Sequence, residues 1–552
     1  MSENPGNPGG MLFDPGGSRS ALCRRWYAEG YYRDLTFPVV MAQGRREFGD
    51  RRTVFYSERG TREVTVDELH ARAKGLAGSL YGLGVRSGDV VAIQVPNWVE
   101  GNLMFQATML LGAVVLPIIH IYGAAEVSYI LKESGAKVLV IPDRWRNIDY
   151  LDRLQHIVRT PQLKRVLIVG DTAPGNTIGW TELEGMATAD YPEPELHADD
   201  LAVMLFTSGT TSDPKGVMHS HNSLLAELGA SQQEAGPATV TLSPWPAGHI
   251  AGVLGILRGY IAGSESVLMD AWNADAAARL IAEYSVASTS GTPYFINSLL
   301  DAASEGNHDL SSLKTVLAGA ANVPPETLQR CEALGIVTFR SYGSSEHPTI
   351  SGGDPSQPLE KRTHTDGTLR PGCEVRIVDD DGNDLPRGAD GEIISIGPDQ
   401  FLGYHQPSFN EDAFYPGGWF KTGDIGHLDE DGYLTITDRK KDIIIRGGEN
   451  IASKEVEDLL ATHPAVSEVA VAAMPDERLG EKVCAFVIVR GGEVLDLTDI
   501  AEHFAALQVA KQKVPEHLVL VDDLPRTASG KVKKFELRER LRQTDGGSAT
   551  TR

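Results

Sequence analysis

The chain has 552 residues, 41% of them hydrophobic, which is enough to bury a large core and to form several domains or subdomains. Its 51 Lys and Arg against 75 Asp and Glu leave a net charge of −24, which argues against nucleic acid or an anionic membrane as main partner and makes any anion site a local one. Cys23, Cys331, Cys373 and Cys484 stand far apart with no CxxC or His pairing, so neither a disulfide framework nor a spaced zinc motif is indicated, and a reducing cytoplasm fits.

Residues 1–20 are rich in Gly, Pro, Asn and Ser and lack the cationic and apolar blocks of a secretory signal, so they read as a disordered tail. Thr65 and Glu68 have capping-box spacing ahead of a helix whose face carries Leu69, Ala73, Leu76, Leu80 and Leu83, with Gly84 at its end. A strand "DVVAIQV", a helix from about Trp98, a strand "AVVLPI", a helix through "AAEVSYILKESG" and a strand "KVLVI" follow, and this alternation predicts a largely parallel sheet covered by helices. The longest apolar run, from Leu103, is interrupted by Gln106 and Pro117 and meets His120, so it reads as a buried helix followed by a strand, with no integral membrane segment.

Near residue 370 the texture changes to short alternating runs separated by Asp-Gly turns, which are hairpin signals. After "DRKKD" (438–442) come further helix and strand patterns, "SKEVEDLLATHP", "VSEVAVAAMP", "EKVCAFVIV" and "LTDIAEHFAAL". The shift places a domain boundary at 438, dividing the chain into residues 21–438 and a small α/β domain, 439–541, with a second disordered tail over 542–552.

The stretch "TSGTTSDPKG" (207–216) follows a buried-strand pattern, where open α/β sheets place ligand loops. Gly209 and Gly216 admit close backbone approach to an anion, the hydroxyls of Thr207, Ser208, Thr210 and Thr211 can donate to phosphate oxygens, and Lys215 adds a positive charge. It is not a Walker A loop, because Lys215 is followed by Gly216 and Val217 instead of Ser or Thr.

This loop resembles the signature of the adenylate-forming enzymes, which include the acyl- and aryl-CoA synthetases. "PAGHIAG" (246–252), "YGSSE" (342–346), "GEIISIGPDQFLGY" (391–404), "GGWFKTGD" (417–424), "DRKKDIIIRGGENI" (438–451) and "PRTASGKVKK" (525–534) match further motifs of that superfamily in order. The likeness covers roughly residues 30–540. It implies a large N-terminal domain of stacked α/β sheets with a distorted β-barrel subdomain, plus a small mobile C-terminal α/β domain.

The resemblance also implies the chemistry. A substrate carboxylate attacks the α-phosphate of ATP, giving an acyl-adenylate and pyrophosphate, and oriented cations must offset the repulsion of two anions. The family's pattern then gives the 207–216 loop the β- and γ-phosphates and Glu346 the Mg²⁺. Tyr342 would stack on adenine beside Gly343 and Ser345, Asp424 would accept from the ribose hydroxyls, Arg439 would donate on that side, and Lys531 would reach the α-phosphate and attacking carboxylate. In the second half-reaction coenzyme A displaces AMP after the C-terminal domain turns about a hinge at Lys441, and Gly447, Gly448, Glu449 and Asn450 line the pantetheine path. Departures from the family pattern, Ser212, Ser345 and Asp438, remove no charge or needed donor, so activity is expected to survive them.

The acid is harder to read. "PWPAGHIAG" lacks the aspartate that pairs an amino acid's ammonium group in amino-acid-activating relatives, and His249 instead matches the histidine of acyl- and aryl-CoA ligases, closing the acyl pocket toward the thiol tunnel. "AGAANVPP", "GSSEHPTISGG" and Tyr294 shape that pocket by resemblance. Details such as "IIHIYGAAEVSYIL" resemble fatty-acid and cyclohexanecarboxylate CoA ligases, implying a medium-chain, alicyclic or steroid-side-chain acid. An acyl-AMP ligase that loads a carrier protein, or an inactive nucleotide binder, are the alternatives; intact Lys531, Glu346 and Asp424 argue against the latter. The oligomeric state, a homodimer among the options, is not read from the sequence.

Overall fold

The computed structural model describes residues 17–207, 214–234, 239–476, 478–491 and 493–544. Two large sheets carry the N-terminal part. The eight-stranded sheet has a parallel centre built from Val90–Ile93, Val114–Pro117, Val138–Pro142 and Arg165–Val169, joined by Leu201–Thr207 and its antiparallel neighbour Lys215–Ser220. The expected alternation holds: the helices Val66–Gly82 and Val99–Leu110 cover this sheet, and their apolar faces join one buried cluster with its strands. The helix Val66–Gly82 begins at a capping box in which Thr65 Oγ1 accepts from the Glu68 N–H at 3.1 Å and Glu68 Oε2 accepts from the Thr65 N–H at 2.9 Å. Among the described residues no helix is long and apolar enough to cross a membrane.

The nine-stranded sheet is parallel through Arg52–Ser57, Glu265–Met269, Val240–Ser243, Ser288–Gly291, Thr315–Gly319 and Val337–Tyr342, with antiparallel strands at both edges. Its two faces differ. Leu242, Val267 and Val316 are buried against the helices Ala274–Glu283, Pro293–Glu305 and Pro325–Ala333. The alternate residues on the other face are only half-buried. The helix Ile250–Ile261 sends Val253, Leu257 and Tyr260 into the cluster of the eight-stranded sheet.

The expected barrel-like region is a five-stranded antiparallel sheet, Glu374–Val378, Gly391–Ile396, Trp419–Leu428, Phe414–Tyr415 and Leu434–Arg439. The C-terminal part has its own five-stranded sheet, dominated by the hairpin Val466–Asp476 with Gly480–Val489, and its own core around Ile444, Val456, Val487, Ile500 and Phe504.

Both ends differ from expectation. A helix, Ser18–Glu29, begins inside the stretch read as a tail, and Trp26 near its C-terminal end is fully buried. At the other end the helix Lys534–Thr544 continues past residue 541, with Leu537 and Leu541 buried against the C-terminal sheet. Apolar anchors just inside each boundary, Trp26 at one end and Leu537 and Leu541 at the other, dock helices that run into the stretches read as tails.

Candidate active site

Thr207 closes one strand and Lys215 opens its antiparallel partner, and the two are paired in register. Ser208, Gly209, Thr210, Thr211 and Ser212 lie outside the described residues. The ammonium of Lys215 sits 4.8 Å from the Tyr404 ring centroid and 5.0 Å from that of Phe409, a cation–π position that holds it at the cleft.

The turn after the strand Val337–Tyr342 is built by hydrogen bonds. Gly343 is needed because a Cβ there would collide with the Pro348 carbonyl. Ser344 Oγ accepts from the N–H groups of Glu346 and His347, both at 3.2 Å. His219 Nε2–H donates to the Ser345 carbonyl at 2.7 Å, and complete burial pushes that imidazole down to about 4, keeping it neutral. Beneath the turn His347 is anchored to Ser395 Oγ at 2.9 Å and Asp399 Oδ1 at 3.0 Å. Glu346 is therefore held at a fixed height, and its Oε1 accepts from Tyr404 Oη at 2.8 Å. Burial and the Glu346 charge hold the Tyr404 phenol well above its ordinary range, so it stays a donor.

Asp424 and Arg439 face each other across two antiparallel strands. Arg439 Nε donates to Asp424 Oδ1 at 2.6 Å and Tyr342 Oη donates to Oδ2 at 2.7 Å, so one carboxylate fixes both neighbours. Asp424 is buried, and the pairing raises the Arg439 pKa further.

Lys531 arrives from the C-terminal part on a tight turn in which the Thr527 N–H donates to its carbonyl at 2.8 Å. Gly530 has φ +80°, and a Cβ there would stand 2.8 Å from Thr292 Oγ1 and 3.1 Å from the Tyr294 ring, so the turn docks directly on the N-terminal part. Burial, with repulsion from Arg439, lowers the Lys531 pKa to about 8. Lys441 is reached by water in the open cleft but walled by protein, and that desolvation together with Arg439 and Lys531 lowers it to about 7. His249 precedes the helix Ile250–Ile261, and its Nδ1 accepts from the Ala251 N–H at 3.2 Å. Its ring stacks on Trp245 at 5.1 Å, and burial followed by the Lys531 charge depresses its pKa to about 4.

Thr207, Lys215, His249, Tyr342, Gly343, Ser345, Glu346, Asp424, Arg439, Lys441 and Lys531 all line one cleft of about 1670 Å³ between the N-terminal and C-terminal parts. Residues from six separate sequence motifs, with Tyr404 from a seventh, thus enclose one space. Gly447, Gly448, Glu449 and Asn450 do not line it. They form an exposed hairpin turn, held where the Gly447 N–H donates to the Leu479 carbonyl at 2.7 Å, because the docked Lys531 turn orients the C-terminal sheet with that hairpin outward. Tyr404 was not singled out from sequence, although it ends the quoted "GEIISIGPDQFLGY"; its only signal is a tyrosine next to a glycine within that motif.

The cleft gathers Lys215, Arg439, Lys441 and Lys531 in a protein of net charge −24, with Tyr404 shared between Lys215 and Glu346. Such a site neutralises a polyphosphate at one end and leaves a carboxylate free for a divalent cation.

The comparisons agree with this geometry. Residues 42–405 match the model of the AMP-binding enzymes, and residues 455–531 match the AMP-binding enzyme C-terminal domain. The chain is 35% identical to the medium-chain fatty-acid–CoA ligase of Escherichia coli over 93% of its own length and 91% of that protein's. It is 31% identical to a salicylyl-CoA synthase / salicylate adenylyltransferase of a Streptomyces species, covering 94% and 96% of the two chains. The crystal structure of ATP-bound MatB from Rhodopseudomonas palustris superposes with a TM-score of 0.81 at 28% identity, over 92% of this chain and 99% of that one. The chain belongs to the AMP-binding, adenylate-forming family of acid–thiol ligases, the AMP-forming acyl-CoA synthetases.

Proposed function

We propose that this chain converts a medium-chain, alicyclic or steroid-side-chain carboxylic acid to its CoA thioester through an acyl-adenylate. The observation that carries the reading is the docking of Lys531, with its depressed pKa, into the cleft holding Asp424, Arg439 and His249. A cation there meets the charge that develops as a carboxylate attacks the α-phosphate, and its partial desolvation strengthens that interaction. Asp424 takes the ribose hydroxyls on lone pairs left beside its two present donors, and Tyr342, pinned by its hydroxyl, offers its ring to the base. The 207–216 motif, with Lys215 at the cleft, would receive the β- and γ-phosphates.

Glu346 fits a Mg²⁺ site: it lines the cleft near Lys215's hairpin and Tyr404 holds only one of its oxygens, and Mg²⁺ is usually bound by one or two carboxylates plus phosphate oxygens. The cation would neutralise phosphate charge. No ammonium-pairing carboxylate stands in residues 244–252, which supports an acid without an α-amino group.

For the thiol step, a hinge at Lys441 would let the C-terminal part rotate, withdrawing Lys531 and bringing Gly447–Asn450 toward the cleft. Asp438 ties this joint to the next helix, accepting from the Ser453 N–H at 2.6 Å. The test is pyrophosphate and AMP release from Mg-ATP over a panel of aliphatic, alicyclic, aromatic and steroid acids, with and without CoA, with products identified by mass. AMP and acyl-CoA formed only with CoA are expected. Pyrophosphate with retained acyl-AMP in the presence of CoA would replace this reading with carrier loading.

A further inference from the structure

The nine-stranded sheet departs from what a parallel sheet ordinarily shows. Such strands are buried on both faces and read as continuous apolar runs. Here Val240–Ser243 reads "VTLS", Ser288–Gly291 reads "STSG" and Thr315–Gly319 reads "TVLAG". Leu242, Val267 and Val316 face the helices behind the sheet, while Thr241, Ser266, Ser288 and Thr315 face the cleft, with Leu268 and Leu317 two residues further along the same face.

Register turns this into a surface. Ser266 pairs with Thr241, Thr241 with Ser288, and Ser288 with Thr315, so four hydroxyls form one straight row across four adjacent strands. All four line the cleft. Thr241 Oγ1 and Ser266 Oγ are 3.4 Å apart, while no hydrogen-bond partner for the Ser288 and Thr315 hydroxyls is found among the described residues. The opposite wall carries the apolar side chains of Ala251, Leu254 and Ile261 from the helix Ile250–Ile261, with Arg258 between the last two. At about 4.8 Å per strand the row is about 14 Å wide, far broader than an alkyl chain. Ser288 lies four residues before Thr292, where the Lys531 turn docks, which at about 3.3 Å per residue puts the row about 13 Å from the reacting end.

We infer that the acid is a polycyclic carboxylic acid with one oxygenated edge or face, its hydroxyl or keto groups meeting the Ser266–Thr241–Ser288–Thr315 row and its hydrocarbon face lying on the Ala251–Leu254–Ile261 wall. The inference rests on the CoA-ligase reading and narrows its substrate. A plain hydrocarbon acid would strip water from the Ser288 and Thr315 hydroxyls and return no partner, whereas an oxygenated ring system exchanges water for direct hydrogen bonds. A site built to hydrogen-bond a substrate oxygen discriminates strongly against an analogue lacking it.

The experiment compares cholate, its hydroxyl-free parent 5β-cholanate, and octanoate by pyrophosphate release, in the wild-type enzyme and in a Thr241→Val/Thr315→Val variant whose melting temperature and ATP KM are checked alongside. We expect kcat/KM for cholate to exceed that for the parent by about tenfold or more, the size of one or two hydrogen bonds. In the variant this preference shrinks at least tenfold, because cholate falls and the parent holds or rises. Equal or better use of the parent by the wild type, an equal fall for both acids in the variant, or activity with octanoate and neither steroid acid overturns the inference and leaves the ligase reading standing. No pyrophosphate from any of the three or from the wider panel would sink that reading itself.

Discussion

The two walls of the cleft are finished to different degrees. On the nucleotide side Tyr342, Asp424 and Arg439 satisfy one another before any ligand arrives, at 2.6 and 2.7 Å. On the acyl side Ser288 and Thr315 present hydroxyls that nothing among the described residues meets. The first wall is preorganised for one ligand and pays little reorganisation when it binds. Under the proposed function the second wall would be completed by the substrate, and its residues would then govern which acid is accepted more than how ATP is held.

That contrast can be broken in order of expected effect. Lys531→Ala, which removes the cation standing between the two walls, should slow adenylation by about 10²–10³-fold for every acid, the cost of deleting one charge-stabilising donor. Thioester formation from preformed acyl-adenylate should survive, and a parallel loss in both half-reactions would contradict the assigned role. Asp424→Ala should lower kcat/KM for ATP by about 10²-fold, because two donors, one of them charged, lose their acceptor. The same variant should leave the ratio between two acids within about twofold, and an altered acid preference would show that the walls are not independent.

Lys531 also sets a pH limit. Its depressed pKa means that the protonated form needed for adenylation is lost as pH rises through about 8, so kcat/KM in the free enzyme should fall there. In Lys531→Arg the guanidinium stays charged, and the alkaline limb should disappear whatever the change in maximal rate.

The smallest effect concerns Glu227, a cleft-lining carboxyl on the acyl side. Burial raises its pKa to about 7, while Thr349 Oγ1 donates to it at 2.9 Å. The folded state therefore binds a proton more tightly than the unfolded chain between about 4.5 and 7, and this group's contribution to stability falls as pH rises through that window. Glu227→Gln should remove that loss and stabilise the protein by on the order of 1 kcal/mol at pH 8 relative to pH 5, read from melting temperatures at the two pH values.

Much of the proposed nucleotide wall was legible in the sequence, because it sits in short loops that resemble the motifs of the adenylate-forming enzymes. Lys215, Glu346, Asp424, Arg439 and Lys531 are found from such loops, and the cleft gathers them. The acyl wall was not legible, because a hydroxyl row across four strands draws one residue from each of 241, 266, 288 and 315 and exists only once register is known. Tyr404 was missed for a related reason: its partner Glu346 is 58 positions away. The hairpin at Gly447–Asn450 shows a different limit, since motif order carries no information about which way the C-terminal part is turned. The burial of Trp26 and Leu541 shows why composition misplaced the chain's ends, where one or two apolar anchors suffice to dock a helix.

His249 has a double attachment. Its Nδ1 receives the Ala251 N–H and so supplies the side-chain cap of the helix Ile250–Ile261, while its ring lies on Trp245. Swinging the imidazole out of the cleft thus uncaps that helix and unstacks an indole, a penalty of about 1–2 kcal/mol from the cap alone. In the proposed ligase the cap and the stack would make this position of the ring its resting state. Because the helix it caps also carries Leu254 and Ile261, an acid that presses on those side chains would bear on His249 through the helix it caps.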